Sequence, residues 1–174
     1  MNAFHHFVDA PSPWVVRWSA QIPAGGRVLD LACGAGRHAR YLAGRGFAVD
    51  AVDRDAALFQ DPPANVSLLK ADLEGGPWPY AGRSFAAIVV ANYLHRPLFP
   101  MLIEALEPGG ILIYETFALG NERFGKPSNP DFLLRPGELL EVVRGKLRVL
   151  GYEDVHVETP RSAMVQRLCA RKEA

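Results

Sequence analysis

The stretch VLDLACGAGRHARYLA, Val28–Ala43, decides how the chain folds. Val28–Leu31 is apolar except for one acid, Asp30, and a run without polar alternation fits a strand buried on both faces of a parallel sheet. Gly34-Ala35-Gly36 then allows a tight backbone turn, which costs little only where glycine stands. Gly36–Ala43 follows with the pattern of a helix that ends at Gly44. Strand, glycine turn and helix form the first unit of a βαβ fold, and ligands with phosphate or nucleoside parts bind at such a turn.

Working outward, the same alternation continues. Ala48–Val52 reads as a second strand, Asp55–Phe59 as a short helix before Pro62-Pro63, Val66–Lys70 as a third strand and Phe85–Ala91 as a fourth. Leu98, Leu102 and Leu106, with Ile103 beside them, mark a helix that Pro97 starts and Pro108-Gly109-Gly110 ends. Ile111–Thr116 is the fifth strand. Phe117–Arg135 has no period and carries Gly, Asn and Pro, the signs of an ordered functional loop. A helix over Pro136–Arg144 and two strand-like runs, Leu147–Glu158 and Ala163–Arg171, complete the chain. With no helix between them, the last two runs predict an antiparallel hairpin at the sheet edge. Upstream, Ser12-Pro13 reads as a helix cap and first turn, leading through Trp14, Val15 and Trp18 to a stop near Pro23. The expected fold class is therefore α/β, with a doubly wound, mostly parallel, seven-stranded Rossmann-like sheet and helices on both faces.

Composition narrows the function. At 174 residues, 49% of them apolar, the chain supports one buried core and leaves little room for a separate catalytic domain. Lys and Arg total 19 and so do Asp and Glu, so no global positive field draws the protein to nucleic acid or anionic membranes. From Ala118 onward the balance is mildly basic, 10 against 8. Two distant cysteines, Cys33 and Cys169, point to a reducing compartment rather than a disulfide framework. No basic, apolar-cored leader and no membrane-length apolar run occurs, so the expectation is a soluble cytoplasmic protein with no membrane partner.

The glycine turn alone leaves the ligand open. Gly34-Ala35-Gly36-Arg37-His38-Ala39 fits G-x-G-x-x-G/A, with Asp53 at the end of the second strand 17 positions after Gly36, a spacing that suits NAD and other adenosine ligands alike. Asp30, four residues before Gly34, is more selective. A carboxylate there repels a pyrophosphate and attracts a cationic ligand. Asp72, after the third strand, adds an acceptor for an adenine amino group. Three acids at three strand ends favour an adenosine carrying positive charge, and S-adenosylmethionine, with its sulfonium and ammonium groups, is such a ligand.

VLDLACGAGRHARYLA resembles motif I of the class I S-adenosylmethionine-dependent methyltransferases. AVDAVDRD is similar to that family's second-strand motif, ADLEGGPWP to its third-strand acid, SFAAIVVANYLHR to its fourth strand and LEPGGILIYETF to its helix, turn and fifth strand. The resemblance runs in order from about Arg27 to the C-terminus, and the GEL of RPGELLE resembles the small tellurite-resistance-type members. It implies S-adenosylmethionine as cofactor, an N-terminal lid or helix segment over residues 1–23 and a methyltransferase domain over 24–174. It also implies residue roles. Gly34 and Gly36 would lie under the methionine part, with Asp30 and the Ala32 carbonyl near its ammonium. Asp53 would bind the ribose and Arg54 would lie along the adenine. Asp72 would accept from the adenine amino group, the Leu73 amide would donate to the ring, and Asn92 would face the methionine part and the incoming nucleophile. Two positions depart from the family pattern: Arg54 stands where an apolar residue is usual, so its stem would have to pack on the base, and Ala86-Ala87 replaces a Phe-Asp start of the fourth strand.

Three residues are candidates for chemistry at the acceptor. Tyr93 and His95 flank Leu94 just past the fourth strand, and Glu115 ends the fifth. His is a suitable general base near neutral pH, although capping the following helix is the alternative for His95. Glu115 either orients the acceptor or takes a proton from it, or else pairs structurally with Arg123 or Arg135. Asn121, Arg123 and Arg135 are the polar loop candidates for substrate contact. His38 is expected to face solvent. Phe4, Phe7, Trp14 and Trp18 are read as core or lid packing. His5-His6 lacks the spacing of a metal site, and so does every other His, Cys and acid group. The acceptor expected is a small molecule; RNA, disfavoured by the charge balance, and a non-catalytic S-adenosylmethionine-binding module are the alternatives.

Overall fold

Alternation of side chains along the strands sorts the core into two layers. A computed structural model of the chain describes residues 9–174. Seven strands, β1 (Arg27–Leu31), β2 (Ala48–Asp53), β3 (Val66–Lys70), β4 (Phe85–Ala91), β5 (Leu106–Phe117), β6 (Arg148–Val157) and β7 (Ala163–Arg171), form one sheet in the order β3-β2-β1-β4-β5-β7-β6. The first five run parallel, β7 is antiparallel to β5, and β6 is antiparallel to β7. The C-terminal hairpin is thus present, with β6 at the edge. Four helices cover the sheet: α1 (Pro13–Ser19), α2 (Arg37–Gly44), α3 (Phe99–Glu104) and α4 (Glu138–Val143).

One cluster joins Leu29, Leu31, Ile88, Val90, Leu112 and Tyr114 to the buried faces of α3 and α4. The other joins Val28, Val49, Ala51, Val89 and Ile113 to Trp14 and Val15 of α1 and to Ala39 and Leu42 of α2. By the same alternation Asp30 and Glu115 turn toward the α1–α2 side, while Thr116 shares the side of Tyr114.

The chain winds outward from β1 to β3, then crosses to β4 on the other side of β1. The order of winding reverses between β1 and β4, and at such a switch point the carboxyl ends of neighbouring strands leave an open crevice.

Several boundaries differ from the sequence expectation. Pro97 starts a 3₁₀ turn, Arg96–Leu98, and the α-helix begins only at Phe99, because Pro100 lacks an amide and is tolerated only in a first turn. Asp55–Phe59 reduces to a 3₁₀ turn at Ala56–Leu58. β5 runs back through Pro108-Gly109-Gly110 to Leu106, with a register shift against β4 between Phe85 and Ala87. Gly110 permits this passage, since a Cβ there would lie 3.0 Å from the Phe85 carbonyl oxygen. Ser12 caps α1 as expected, accepting from the Trp14 amide, but the helix stops at Ser19. Trp14 is buried, and its Nε1 donates to the Leu168 carbonyl at 3.2 Å, so α1 belongs to the same core as the sheet. Phe4, His5, His6 and Phe7 lie outside the described residues. Among those described, no helix is long and apolar enough to cross a membrane.

Candidate functional site

The crevice between β1 and β4 is built by carboxylates that occupy the backbone donors around it. Asp30 is 1% exposed and its Oδ2 accepts from the Ala39 amide at 2.9 Å, capping the first turn of α2 from beneath. Burial pushes its carboxyl up to about 7, against the lowering effects of the Ala39 bond and the Arg37 charge. Asp53 Oδ2 accepts from the Gly34 amide at 2.9 Å, and its Oδ1 accepts from the Asp55 amide at 2.8 Å. These bonds join the end of β2 to the turn after β1.

The turn itself passes through left-handed backbone at Ala32 (φ 54°), Gly34 (φ 54°) and Gly36 (φ 85°). Directly across the switch point Asn92 has φ 55°, with its amide donating to the Glu115 carbonyl at 2.9 Å. Two non-glycine residues in this conformation, Ala32 and Asn92, concentrate strain at the ends of adjacent strands on either side of the crevice. Gly34 faces open space, whereas a Cβ on Gly36 would come within 2.4 Å of the Phe59 ring. One glycine thus borders the crevice and the other meets the core.

After β3, Asp72 Oδ1 accepts from the Glu74 amide at 3.0 Å. Backbone bonds from Gly75 and Glu74 hold its carboxyl below the usual range, with the charges of Arg54 and His95 adding to the effect. Arg54 is exposed and Leu73 buried.

Beside the crevice lies a cleft of about 300 Å³ lined by Glu74, Asn92, Tyr93, Leu94, Thr116, Phe117, Pro127 and Phe132. Asn92 borders both. Tyr93 is half-buried and its phenol donates to Glu74 Oε1 at 3.2 Å. Burial first, and Glu74 next, push that phenol well above its ordinary value. It remains protonated near neutral pH and acts as a donor to Glu74, not as a base. His95 precedes the 3₁₀ turn without a side-chain cap bond, and it does not line the cleft.

Two sequence expectations require correction. Glu115 is 7% exposed and turned to the α1–α2 side, away from the cleft, where it accepts from Ser12 Oγ at 2.7 Å and pairs with Arg167. Its partner is neither Arg123 nor Arg135. The register explains this: Arg167 lies opposite Glu115 on one side and Glu153 on the other, and it bonds both. His38 is 4% exposed rather than solvent-facing. Its Nε2 accepts from the Ser12 amide at 3.1 Å, and burial, with the Arg37 charge, holds it down to about 3.

The loop after β5 is held by side chains that the sequence offers as substrate contacts and by others that carry no sequence signal. Asn121 is buried; it donates to the Pro127 carbonyl at 2.9 Å and accepts from the Met164 amide at 3.2 Å. Arg123 is exposed, and Arg135 reaches Glu138. Arg96 donates to both Glu138 oxygens, at 2.6 and 3.1 Å, and to the Asp131 and Leu133 carbonyls at 2.8 and 2.9 Å. Burial acts to raise the Glu138 carboxyl, but the Arg96 bonds and the Arg135 amide hold it below its ordinary value. Glu138 is the acid of the GEL triplet, and its role is to clamp the loop that carries Pro127 and Phe132. Glu74 and Arg96 had no spacing signal of their own, although Glu74 stands two residues after the recognised acid Asp72.

A doubly wound sheet with a reversed β7, a glycine turn at the switch point and acids at the ends of β1 and β2 and just past β3 defines the class I S-adenosylmethionine-dependent methyltransferase fold. Residues 28–110 match the family model of the methyltransferase domain. TehB from Haemophilus influenzae superposes with a TM-score of 0.72 at 21% identity, over 91% of this chain and 61% of that one, so this chain spans less than two thirds of TehB. A TehB-like methyltransferase from Corynebacterium glutamicum gives 0.66 at 22% identity, covering 92% and 87%. The glycopeptide N-methyltransferase MtfA, in complex with S-adenosylmethionine, gives 0.63 at 17% identity, covering 97% and 98%. No curated protein matches the chain significantly. The chain has the fold of the TehB-like S-adenosylmethionine-dependent methyltransferases, and residues 28–110, just under half of it, match the methyltransferase-domain family.

Proposed function

We propose that the chain transfers a methyl group from S-adenosylmethionine to a small-molecule acceptor seated in the cleft beside Asn92. One observation carries this reading. Two amides of the turn and first helical residues, those of Gly34 and Ala39, are held by carboxylates, Asp53 and Asp30, which puts two acids where a pyrophosphate would lie. A crevice so arranged suits a cationic adenosine ligand and rejects a dinucleotide.

In this reading Asp30, the Ala32 carbonyl, Gly34 and Gly36 hold the methionine part. Asp53 accepts from the ribose hydroxyls while it keeps the Gly34 bond, and Arg54, Asp72 and Leu73 hold the adenine. Bound S-adenosylmethionine supplies an electrophilic methyl carbon. The protein's own contribution is alignment: Asn92 borders both ligands, and Leu94, Phe117 and Phe132 exclude water, an effect for which holding two reactants together supplies roughly 7–11 kcal/mol. Tyr93 donates to the group that faces the acceptor, and His95 tunes Asp72. The equal numbers of acidic and basic residues support a small acceptor over RNA. Both cysteines are free and buried, which supports a cytoplasmic location.

The test is methyl transfer from labelled donor to cell extract separated into metabolite, RNA and protein fractions. Label in the metabolite fraction is the expected result. Label confined to RNA favours an RNA methyltransferase, and donor binding with no label in any fraction favours a non-catalytic binding module.

A further inference from the structure

We propose that the cleft recognises its acceptor as an amine on an apolar body, with Glu74 as the counter-charge that holds the nitrogen. The inference rests on the methyl-transfer reading above and names the substrate class for it.

The lining makes the selection. Among the described residues, Glu74 is the one cleft side chain with a formal charge, and no Lys, Arg or His is in the lining. Tyr93 fixes Glu74 through one oxygen, Oε1. Among the described residues the other oxygen takes no hydrogen bond from a side chain, which leaves it for an N–H donor. A carboxylate in this position attracts an ammonium or amine and repels a carboxylate or an oxyanion. Asp72 and Asp53 strengthen that field, since both act with Glu74 to raise the Tyr93 phenol. Arg161 lies over the Phe117 ring at 5.4 Å, but its Nη2 is committed to the Lys126 carbonyl and it does not line the cleft.

The rest of the wall is apolar and aromatic. Tyr93, Phe117 and Phe132 present rings beside the carboxylate, an arrangement that favours organic cations. Phe132 is 53% exposed, a large apolar side chain left on the rim of a functional cleft. An apolar substituent on the amine covers it.

The chemistry closes with these groups. The ammonium held by Glu74 first passes one proton through that carboxylate to solvent, and the neutral amine that remains donates N–H to Glu74 and keeps its lone pair free. As the nitrogen–carbon bond forms, the carbon–sulfur pair passes to sulfur, leaving a neutral thioether. The surplus proton on nitrogen passes to the Glu74 carboxylate and from there to solvent. Glu74 therefore touches the acceptor directly, and Tyr93 is a positioning residue for it.

The experiment measures binding of 2-phenylethylamine, 2-phenylethanol and 3-phenylpropanoate to the full chain by calorimetry, with and without S-adenosylhomocysteine. It is run on the wild type, on Glu74→Gln, which keeps size but removes charge, and on Tyr93→Phe. The expected result is amine binding at least about tenfold tighter than either analogue, lost at least about tenfold in Glu74→Gln. Alcohol binding and S-adenosylhomocysteine affinity stay within about twofold in that variant, and its melting temperature shifts by no more than about 2 °C. Tyr93→Phe weakens the amine less than Glu74→Gln does. Equal or tighter binding of the carboxylate, an unchanged amine affinity in Glu74→Gln, or no amine binding to a protein that binds S-adenosylhomocysteine overturns the proposal. A wild type that binds the amine but not S-adenosylhomocysteine overturns the methyl-transfer reading instead.

Discussion

Asp53 Oδ2 accepts from the Gly34 amide at 2.9 Å, so the carboxylate expected to hold a ribose also holds the turn beneath the methionine part. Asp53→Ala removes both functions. A charge-assisted bond of this kind is worth about 1.5–3 kcal/mol, so S-adenosylhomocysteine affinity falls by roughly 10- to 150-fold. Loss of the turn's tether lowers the melting temperature by a few degrees as well. Calorimetry and a thermal melt on the same preparation check the pair of effects, and unchanged affinity in a folded variant contradicts the assignment.

The two glycines of the turn separate binding from folding. Both have positive φ, so alanine costs about 1–2 kcal/mol of backbone strain at either. At Gly34 the new methyl projects into open space beside the crevice, but at Gly36 it meets the Phe59 ring. Gly34→Ala therefore loses donor binding with a modest melting shift, and Gly36→Ala melts markedly lower. Thermal melts with and without S-adenosylhomocysteine distinguish the two variants.

Asp30 and His38 give opposed dependences of stability on pH. Asp30 is raised to about 7 from 3.8, mainly by burial, so its contribution is full below pH 3.8 and is lost as pH rises through 7. His38 is lowered to about 3 from 6.5, again mainly by burial, so its contribution is full above pH 6.5 and is lost as pH falls toward 3. Asp30→Asn leaves the His38 term, and stability then rises with pH across about 4–6.5. His38→Gln leaves the Asp30 term, and stability falls across about 4–7. Urea denaturation at several pH values tests this, and parallel slopes in the two variants contradict it.

The Arg96–Glu138 clamp acts on the acceptor alone. Arg96→Ala frees the Asp131 and Leu133 carbonyls and leaves a buried carboxylate short of its main partner, at a cost of about 2 kcal/mol. The wall carrying Pro127 and Phe132 loosens. Acceptor KM rises several-fold while S-adenosylhomocysteine affinity is unchanged; equal losses in both contradict a role confined to the loop.

Local signals carried most of the fold. β3 and β4 occupy the residues that their apolar runs predict, and the unbroken apolar pattern of β4 reflects burial on both faces. The glycine turn and the acids near the ends of β1, β2 and β3 were visible because their spacing is fixed within a few residues of a strand end. What stayed hidden depends on partners distant in sequence. Nothing around His38 shows that the Ser12 amide will cover it, 26 positions away. The pairing of Glu115 with Arg167 follows from hairpin register, which the presence of a hairpin does not specify. The cleft carboxylate Glu74 and the clamp residue Arg96 belong to turns whose positions are set by tertiary contacts.

Which adenosine ligand the crevice takes decides the reading of the whole site. Parallel calorimetric titrations of the full chain with S-adenosylmethionine and NADH provide the measurement. The expected result is micromolar binding of S-adenosylmethionine, weakened at least about tenfold by Asp53→Ala, and no comparable heat from NADH. Tighter binding of NADH than of S-adenosylmethionine would contradict it.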